Sequence, residues 1–201
     1  SFTPSIATIG TALTISGTNF DATIPNNRIK VNLTATYGLS GSTTTSLSTT
    51  VPAATASGRV KVDTPLGTAT SSSDLFIPPD AFTASDVQYT NRMSYGDSRS
   101  VAITTSGKIG LVVFDATAGQ RTSVKSVPGP NHQIRVYHPN GTALVSRSSG
   151  ISTVLAEPGN LPVAGTYTIS IDPTLTGTGT TTITLYDVPA DVTGTFSPTS
   201  G

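Results

Sequence analysis

Apolar residues along this chain recur at every second position in short runs, and Gly, Pro, Asn and Ser fill the intervals between the runs. In "ALTISG" the alternation places Leu13 and Ile15 on one face. "RIKVNL" does the same with Ile29, Val31 and Leu33, and "GRVKVD" with Val60 and Val62. Beyond residue 84 the pattern sharpens. "SVAITT" pairs Val101 with Ile103, "IGLVVFDA" is apolar enough for a central strand, and "HQIRVYHPNGT" carries Ile134 and Val136 into a turn at Pro139-Asn140-Gly141. "GTYTISID" sets Tyr167, Ile169 and Ile171 inward against Thr166, Thr168 and Ser170 outward, and "TTITLYDV" repeats this with Ile183 and Leu185 inward and Thr184 outward. No window sustains a 3.6-residue apolar period. The expected fold class is therefore all-β, as two tandem β-sandwich domains.

The alternation stops at "FIPPD" (Phe76–Asp80), where two consecutive prolines can donate no ladder hydrogen bond. This predicts a first sandwich over 1–78, a Pro-rich junction over 79–84 and a second sandwich over 85–192. The segment 193–201 stands apart, because Phe196-Ser197-Pro198-Thr199 repeats the type of Phe2-Thr3-Pro4-Ser5 at an offset of 194 positions (196 − 2). It reads as the start of a following repeat or as a docking tail, with Phe2, Pro4, Phe196 and Pro198 as assembly candidates.

Charge narrows the possible partners. Lys+Arg and Asp+Glu number 11 each, so the formal net charge is zero, and nothing steers the chain toward nucleic acid or an anionic membrane surface. No run of 18 apolar residues is present, so no membrane insertion is expected. There is no Cys, and Thr and Ser carry the polar load, a composition that suits an extracellular or cell-surface bacterial protein. The chain opens at Ser1 without an initiator Met or an apolar leader, and is expected to be an excised or processed piece.

Candidate chemistry is sparse. No G-x-S-x-G, phosphate-binding loop or H-E-x-x-H occurs, and no cofactor is called for. His132 and His138, six positions apart, fall on one face of a regular strand, and are expected to be exposed strand-end residues. Glu157, the single glutamate, precedes Pro158-Gly159 and reads as a turn residue. A loop containing Asn19, Asp21, Asn26 and Asn27 is the best cation candidate, for calcium, although a turn-rich loop explains the same residues. Two sequons, Asn32-Leu33-Thr34 and Asn140-Gly141-Thr142, are present, the second explained by its turn. Without Trp, stacking on surface glycans would fall to Tyr37, Tyr89, Tyr95, Tyr137 and Tyr186, with Tyr167 in the core.

The opening "SFTPSIATIGTALTISGTNF" (Ser1–Phe20) and the stretch "TTSLSTTVPAATASGRVKVDTPLGTATSSSDLFI" (Thr44–Ile77) resemble the IPT/TIG domain family, which implies an immunoglobulin-like sandwich. "DATAGQRTSV" (Asp115–Val124), "VYHPNGTAL" (Val136–Leu144), "LPVAGTYTISIDP" (Leu161–Pro173) and "TTITLYDV" (Thr181–Val188) are similar to bacterial pre-peptidase-C-terminal-like modules, which implies a jelly-roll-like sandwich. Relatives of the second kind often carry N-P-D-G in the turn. This chain has His138-Pro139-Asn140-Gly141, and the missing Asp weakens a calcium site there. Domains of the IPT/TIG kind serve as spacers, ligand binders or DNA binders according to context. The leading expectation is a non-catalytic structural repeat of a bacterial surface protein, fibre or adhesin whose partners are neighbouring copies. The second is an accessory glycan-binding segment of a secreted enzyme.

Overall fold

A computed structural model describes residues 1–127, 129–150, 152–174 and 176–190. The first sandwich is built from β1 (Phe2–Thr3), β2 (Ala12–Ser16), β3 (Arg28–Val31), β4 (Thr34–Tyr37), β5 (Ser46–Thr50), β6 (Gly58–Thr64) and β7 (Gly67–Leu75). These form a three-stranded sheet in the order β1-β2-β5 and a four-stranded sheet in the order β4-β3-β6-β7. The inward positions read from the alternation are buried: Leu13 and Ile15 from one sheet meet Ile29, Val31, Val60 and Val62 from the other. Leu33 departs from the pattern and is 53% exposed. Asn32, at a φ of 53°, ends β3 in a left-handed turn and breaks the period of two.

The second sandwich comprises β8 (Val87–Arg92), β9 (Ser98–Ile103), β10 (Ile109–Ala116), β11 (Arg121–Val127), β12 (His132–Tyr137), β13 (Ala143–Ser149), β14 (Val154–Asn160), β15 (Gly165–Pro173) and β16 (Gly179–Asp187). Its sheets run β13-β12-β15-β10-β8 and β14-β11-β16-β9, and no sheet holds strands from both sides of Pro78-Pro79. Pairing is antiparallel except for β8 on β10, which is parallel. The core between the sheets contains Phe114, Ile134, Val136, Tyr167, Ile169, Ile171, Ile183 and Leu185. Phe114 and Tyr167 stack with ring centroids 5.6 Å apart. The chain is thus all-β, with short 3₁₀ turns at Ile24–Asn26 and Ala84–Asp86 and no α-helix among the described residues.

Three outward positions, Thr166, Thr168 and Ser170, depart from the sequence expectation, with Thr166 only 6% exposed. Thr184 is half-exposed as its alternation requires. Thr168 and Ser170, expected outward and wet, are 1% and 3% exposed. Their side of β15 does face away from the core of the second sandwich, but the junction and the first sandwich lie over it. Thr168 borders a cavity with Ile77, Pro78, Pro79 and Tyr137.

The two faces of β15 therefore respond differently to substitution. Ile169→Ala should destabilise the chain by about 2–5 kcal/mol, because it deletes buried carbon without an obvious route to collapse. Thr168→Val should instead stabilise it by about 1 kcal/mol, since the Thr168 hydroxyl is buried with no hydrogen-bond partner among the described residues. Urea titrations of the two variants check both signs.

Candidate functional site

The richest arrangement of side chains lies where the two sandwiches meet. β10 supplies its apolar centre. Val112 and Phe114 point into the second sandwich, whereas Ile109, Leu111 and Val113 point the other way and are fully buried too. Phe76, Ile6, Phe82 and Val87 cover them. Phe76 is held in place by main-chain bonds, with Ala7 N–H donating to its carbonyl at 3.0 Å and its own N–H donating to the Ser5 carbonyl at 2.9 Å.

A polar chain flanks this patch. Asp74, at the end of β7, has a side chain only 5% exposed. Arg92 of β8 donates to it through Nε, at 2.8 Å, and through Nη2, a forked pairing of guanidinium and carboxylate. Arg59 Nε lies 3.3 Å from the same carboxylate. Asp74 holds the Arg92 guanidinium above its already high range, against the opposing effect of burial. Through Nη1 Arg92 also donates to Asp115 of β10, and Asp115 accepts the Thr166 hydroxyl at 2.6 Å. Asn32 completes the chain. Its Nδ2 donates to the carbonyls of Thr166, at 2.7 Å, and Ser57, at 3.0 Å, and its Oδ1 accepts the Thr166 N–H at 3.3 Å. The Asn32 amide thereby extends the hydrogen-bonding edge of β15 as a strand would.

On another side of the patch, the turn at Pro139-Asn140-Gly141 docks on the first sandwich. Ala56 N–H donates to the Pro139 carbonyl at 3.0 Å. Gly141 has a φ of 89°, and a Cβ there would stand 2.9 Å from the Thr55 carbonyl, so both conformation and space demand glycine. Asp80, in the junction, accepts from Arg135 and from the Tyr137 hydroxyl at 2.6 and 2.8 Å. Sequence reasoning missed this site. Its members are scattered from Asn32 to Thr166, and each satisfies a simpler local reading.

The residues singled out in the sequence fall elsewhere. Asn19, Asp21, Asn26 and Asn27 do share one loop, but Asn27 is fully buried and serves as its hub. Its Oδ1 accepts the Asp21 N–H and its Nδ2 donates to the Asp21 carbonyl, both at 2.8 Å, while Asp21 Oδ1 accepts the Thr23 N–H at 2.7 Å. No group of three or more His, Asp or Glu suited to a metal occurs among the described residues. Phe2 is half-buried in β1 against the first core, and Pro4 is half-buried just after it. Phe196 and Pro198, with the whole segment 193–201, lie outside the described residues.

Both histidines are less exposed than expected. His138 is half-buried, its ring 6.0 Å from that of Tyr167. His132 is fully buried, because β12 turns it inward with Ile134 and Val136. Its Nε2 lies 2.6 Å from Ser126 Oγ and its Nδ1 2.8 Å from the Pro130 carbonyl. This pairing of hydroxyl and imidazole resembles a nucleophile and base, yet Ser126 and His132 are both fully buried, which bars substrate from the hydroxyl. It acts as a hydrogen bond between the two sheets. Glu157 is an exposed residue of β14 beside a register shift against β11, not a turn residue. Among the tyrosines, Tyr137 is buried, Tyr89 and Tyr95 pack on the core, and only Tyr37 and Tyr186 are exposed, on different sandwiches.

Two substitutions probe the junction. Asn32→Asp should cost about 2 kcal/mol by turning a donor into an acceptor that faces the Thr166 and Ser57 carbonyls, read from denaturant midpoints. Asp172 of β15 has its pKa raised, first by burial and further by Asp80, against the attraction of Arg135. Its folded form therefore binds a proton more tightly than the unfolded chain does. The stability this confers is complete below the ordinary carboxylate range and is lost as pH rises through the raised value. Asp172→Asn should accordingly raise the melting temperature at neutral pH, with the gain shrinking toward zero near pH 3 in paired thermal melts.

Comparison with known proteins gives a family for the first sandwich. Residues 1–77 match the family model of the IPT/TIG domain. No curated protein matches the chain. Among solved structures, it is similar to the pre-peptidase C-terminal domain of a collagenase from Bacillus anthracis, at 12% identity over 49% of this chain and 95% of that one, with a TM-score of 0.38. It is also similar to PliG of Aeromonas hydrophila, a periplasmic inhibitor of g-type lysozyme, at 16% identity over 50% and 96% of the two chains, with a TM-score of 0.41. A further structure, solved with xylogluco-oligosaccharide, matches 93% of this chain and 56% of its own at 12% identity and a TM-score of 0.30.

Proposed function

We propose that this chain, an IPT/TIG domain at residues 1–77 followed by a second β-sandwich, is a non-catalytic structural segment of an extracellular bacterial surface protein or fibre, in which it acts as a stiff spacer between neighbouring modules. The observation that carries this reading is the junction. A spacer must transmit position and load, and two sandwiches joined only by a flexible linker transmit neither. Here an apolar patch, a forked ion pair at a nearly buried carboxylate and an amide that mimics a strand edge hold the sandwiches in one relative orientation. The domain limits we assign are 1–78 and 85–192, with 79–84 as the seam and 193–201 as the start of a following unit or a docking tail. Neighbouring copies of the same chain are the partners this role requires. No helix among the described residues is long and apolar enough to cross a membrane.

Among the described residues, no side-chain set offers an accessible reacting centre. The Ser126–His132 pair is buried, and the one glutamate stands exposed without a carboxylate partner. The accessory glycan-binding role is the second reading, and it rests on Tyr37 and Tyr186, 55% and 41% exposed.

Small-angle scattering discriminates between these readings. The whole chain should fit one fixed arrangement of its sandwiches, and Arg92→Ala should broaden it into an ensemble. An ensemble already present in the unsubstituted chain would overturn the spacer role. Saturable binding to one polysaccharide, abolished by Tyr37→Ala or Tyr186→Ala, would establish the glycan-binding role instead.

A further inference from the structure

The first sandwich presents two outer strands along one side. β1 is the outer strand of its sheet and spans only two residues, Phe2 and Thr3. β7 is the outer strand of the facing sheet, and among the described residues its outer side meets main chain just past its end, where Phe76 bridges to Ile6. From Gly67 to Thr70 that edge is regular, exposed and without charge, and the pairing with β6 shifts register only beyond Thr70. Charge and proline, the usual guards of a sheet edge, are both missing from this stretch. Between the two edges lies a cavity of about 270 Å³ floored by Ile15, Phe20, Val60 and Val62 and bordered by Phe2 and Ala69. It continues past Phe20 and Ala69 into a second hollow of about 240 Å³.

The chain carries a segment with the chemistry to fill this groove. Residues 192–199 read Val-Thr-Gly-Thr-Phe-Ser-Pro-Thr, a strict alternation that puts Val192, Phe196 and Pro198 on one face and hydroxyl side chains on the other. The sequence Phe196-Ser197-Pro198-Thr199 is of the same type as Phe2-Thr3-Pro4-Ser5, whose Phe2 already borders the cavity. Asp191 is the one charged residue of segment 191–201, so an uncharged strand meets an uncharged groove. The 11 residues beyond Ala190 could extend to about 36 Å, more than the edge of β7 requires.

We propose that residues 192–199 of one copy of this chain dock in the groove between β1 and β7 of a second copy, adding a strand to the Gly67–Thr70 edge and seating Phe196 beside Phe2 and Phe20. This rests on the structural role proposed above, and names the site through which copies associate. Main-chain bonds to β7 supply adhesion, and the apolar floor selects the Phe-x-Pro face. Tail and groove are different surfaces, so the contact is head-to-tail and builds an open chain, or a ring where its rotation closes.

Sedimentation of the full chain over a range of concentrations tests the proposal. The unsubstituted chain should grow in mass with concentration. Phe196→Asp, which spoils the tail, and Ala69→Arg, which blocks the groove at an exposed position, should each sediment as monomers with unchanged thermal melts. An equimolar mixture of the two variants retains one intact tail and one intact groove, and should form a species of about twice the monomer mass and nothing larger. A monomeric unsubstituted chain, association that survives either substitution, or a mixture that stays monomeric would overturn the docking. Any of those outcomes leaves the spacer role standing or falling on the scattering result alone.

Discussion

β10 is apolar on both faces, and one sandwich can cover only one of them. Val112 and Phe114 fill the space between the sheets of the second domain, which leaves Ile109, Leu111 and Val113 on the far side of the same strand. Each such side chain gains about 1.5–3 kcal/mol by leaving water, and the neighbouring strands of its own sheet offer it no roof. Phe76, Ile6 and Phe82, from the first sandwich and the linker, provide one. The junction is therefore a third small core that neither sandwich completes alone.

Several features acquire a purpose once this core is recognised. Asp74 would be a costly carboxylate to bury, and two guanidinium groups offset that cost exactly where the patch has to be closed off by polar contacts. Thr166 and Asn32 seal a neighbouring margin by pairing amide with main chain. The β12–β13 turn could have been an ordinary exposed hairpin end, yet its Pro139 carbonyl is bonded to Ala56 and its Gly141 abuts Thr55. The backs of β15 and β10 are dry for the same reason.

Rigidity and openness divide between the ends of the molecule. The junction packs the sandwiches against each other through an apolar patch and a forked ion pair. Away from it, between β1 and β7, the first sandwich leaves an uncharged sheet edge and an apolar hollow uncovered. That open edge and the alternating sequence of residues 192–199 are the two surfaces the proposed self-association would join.

Much of the fold was legible because strand alternation is a local property. Leu13 with Ile15, Val60 with Val62, and Tyr167 with Ile169 and Ile171 face inward as a period of two requires, and the resemblance of residues 1–77 to the IPT/TIG family rests on the same short-range pattern. What alternation cannot supply is the occupant of the outward face. Thr168 and Ser170 look like solvent-facing residues until the first sandwich is laid over them. His132 looks like an exposed strand end until β11 brings Ser126 to its ring, and Asn32 looks like a sequon until its amide meets Thr166. The Thr166 partner of Asn32 lies 134 positions away in sequence, and only the packing of one sandwich on the other brings the two within hydrogen-bonding distance.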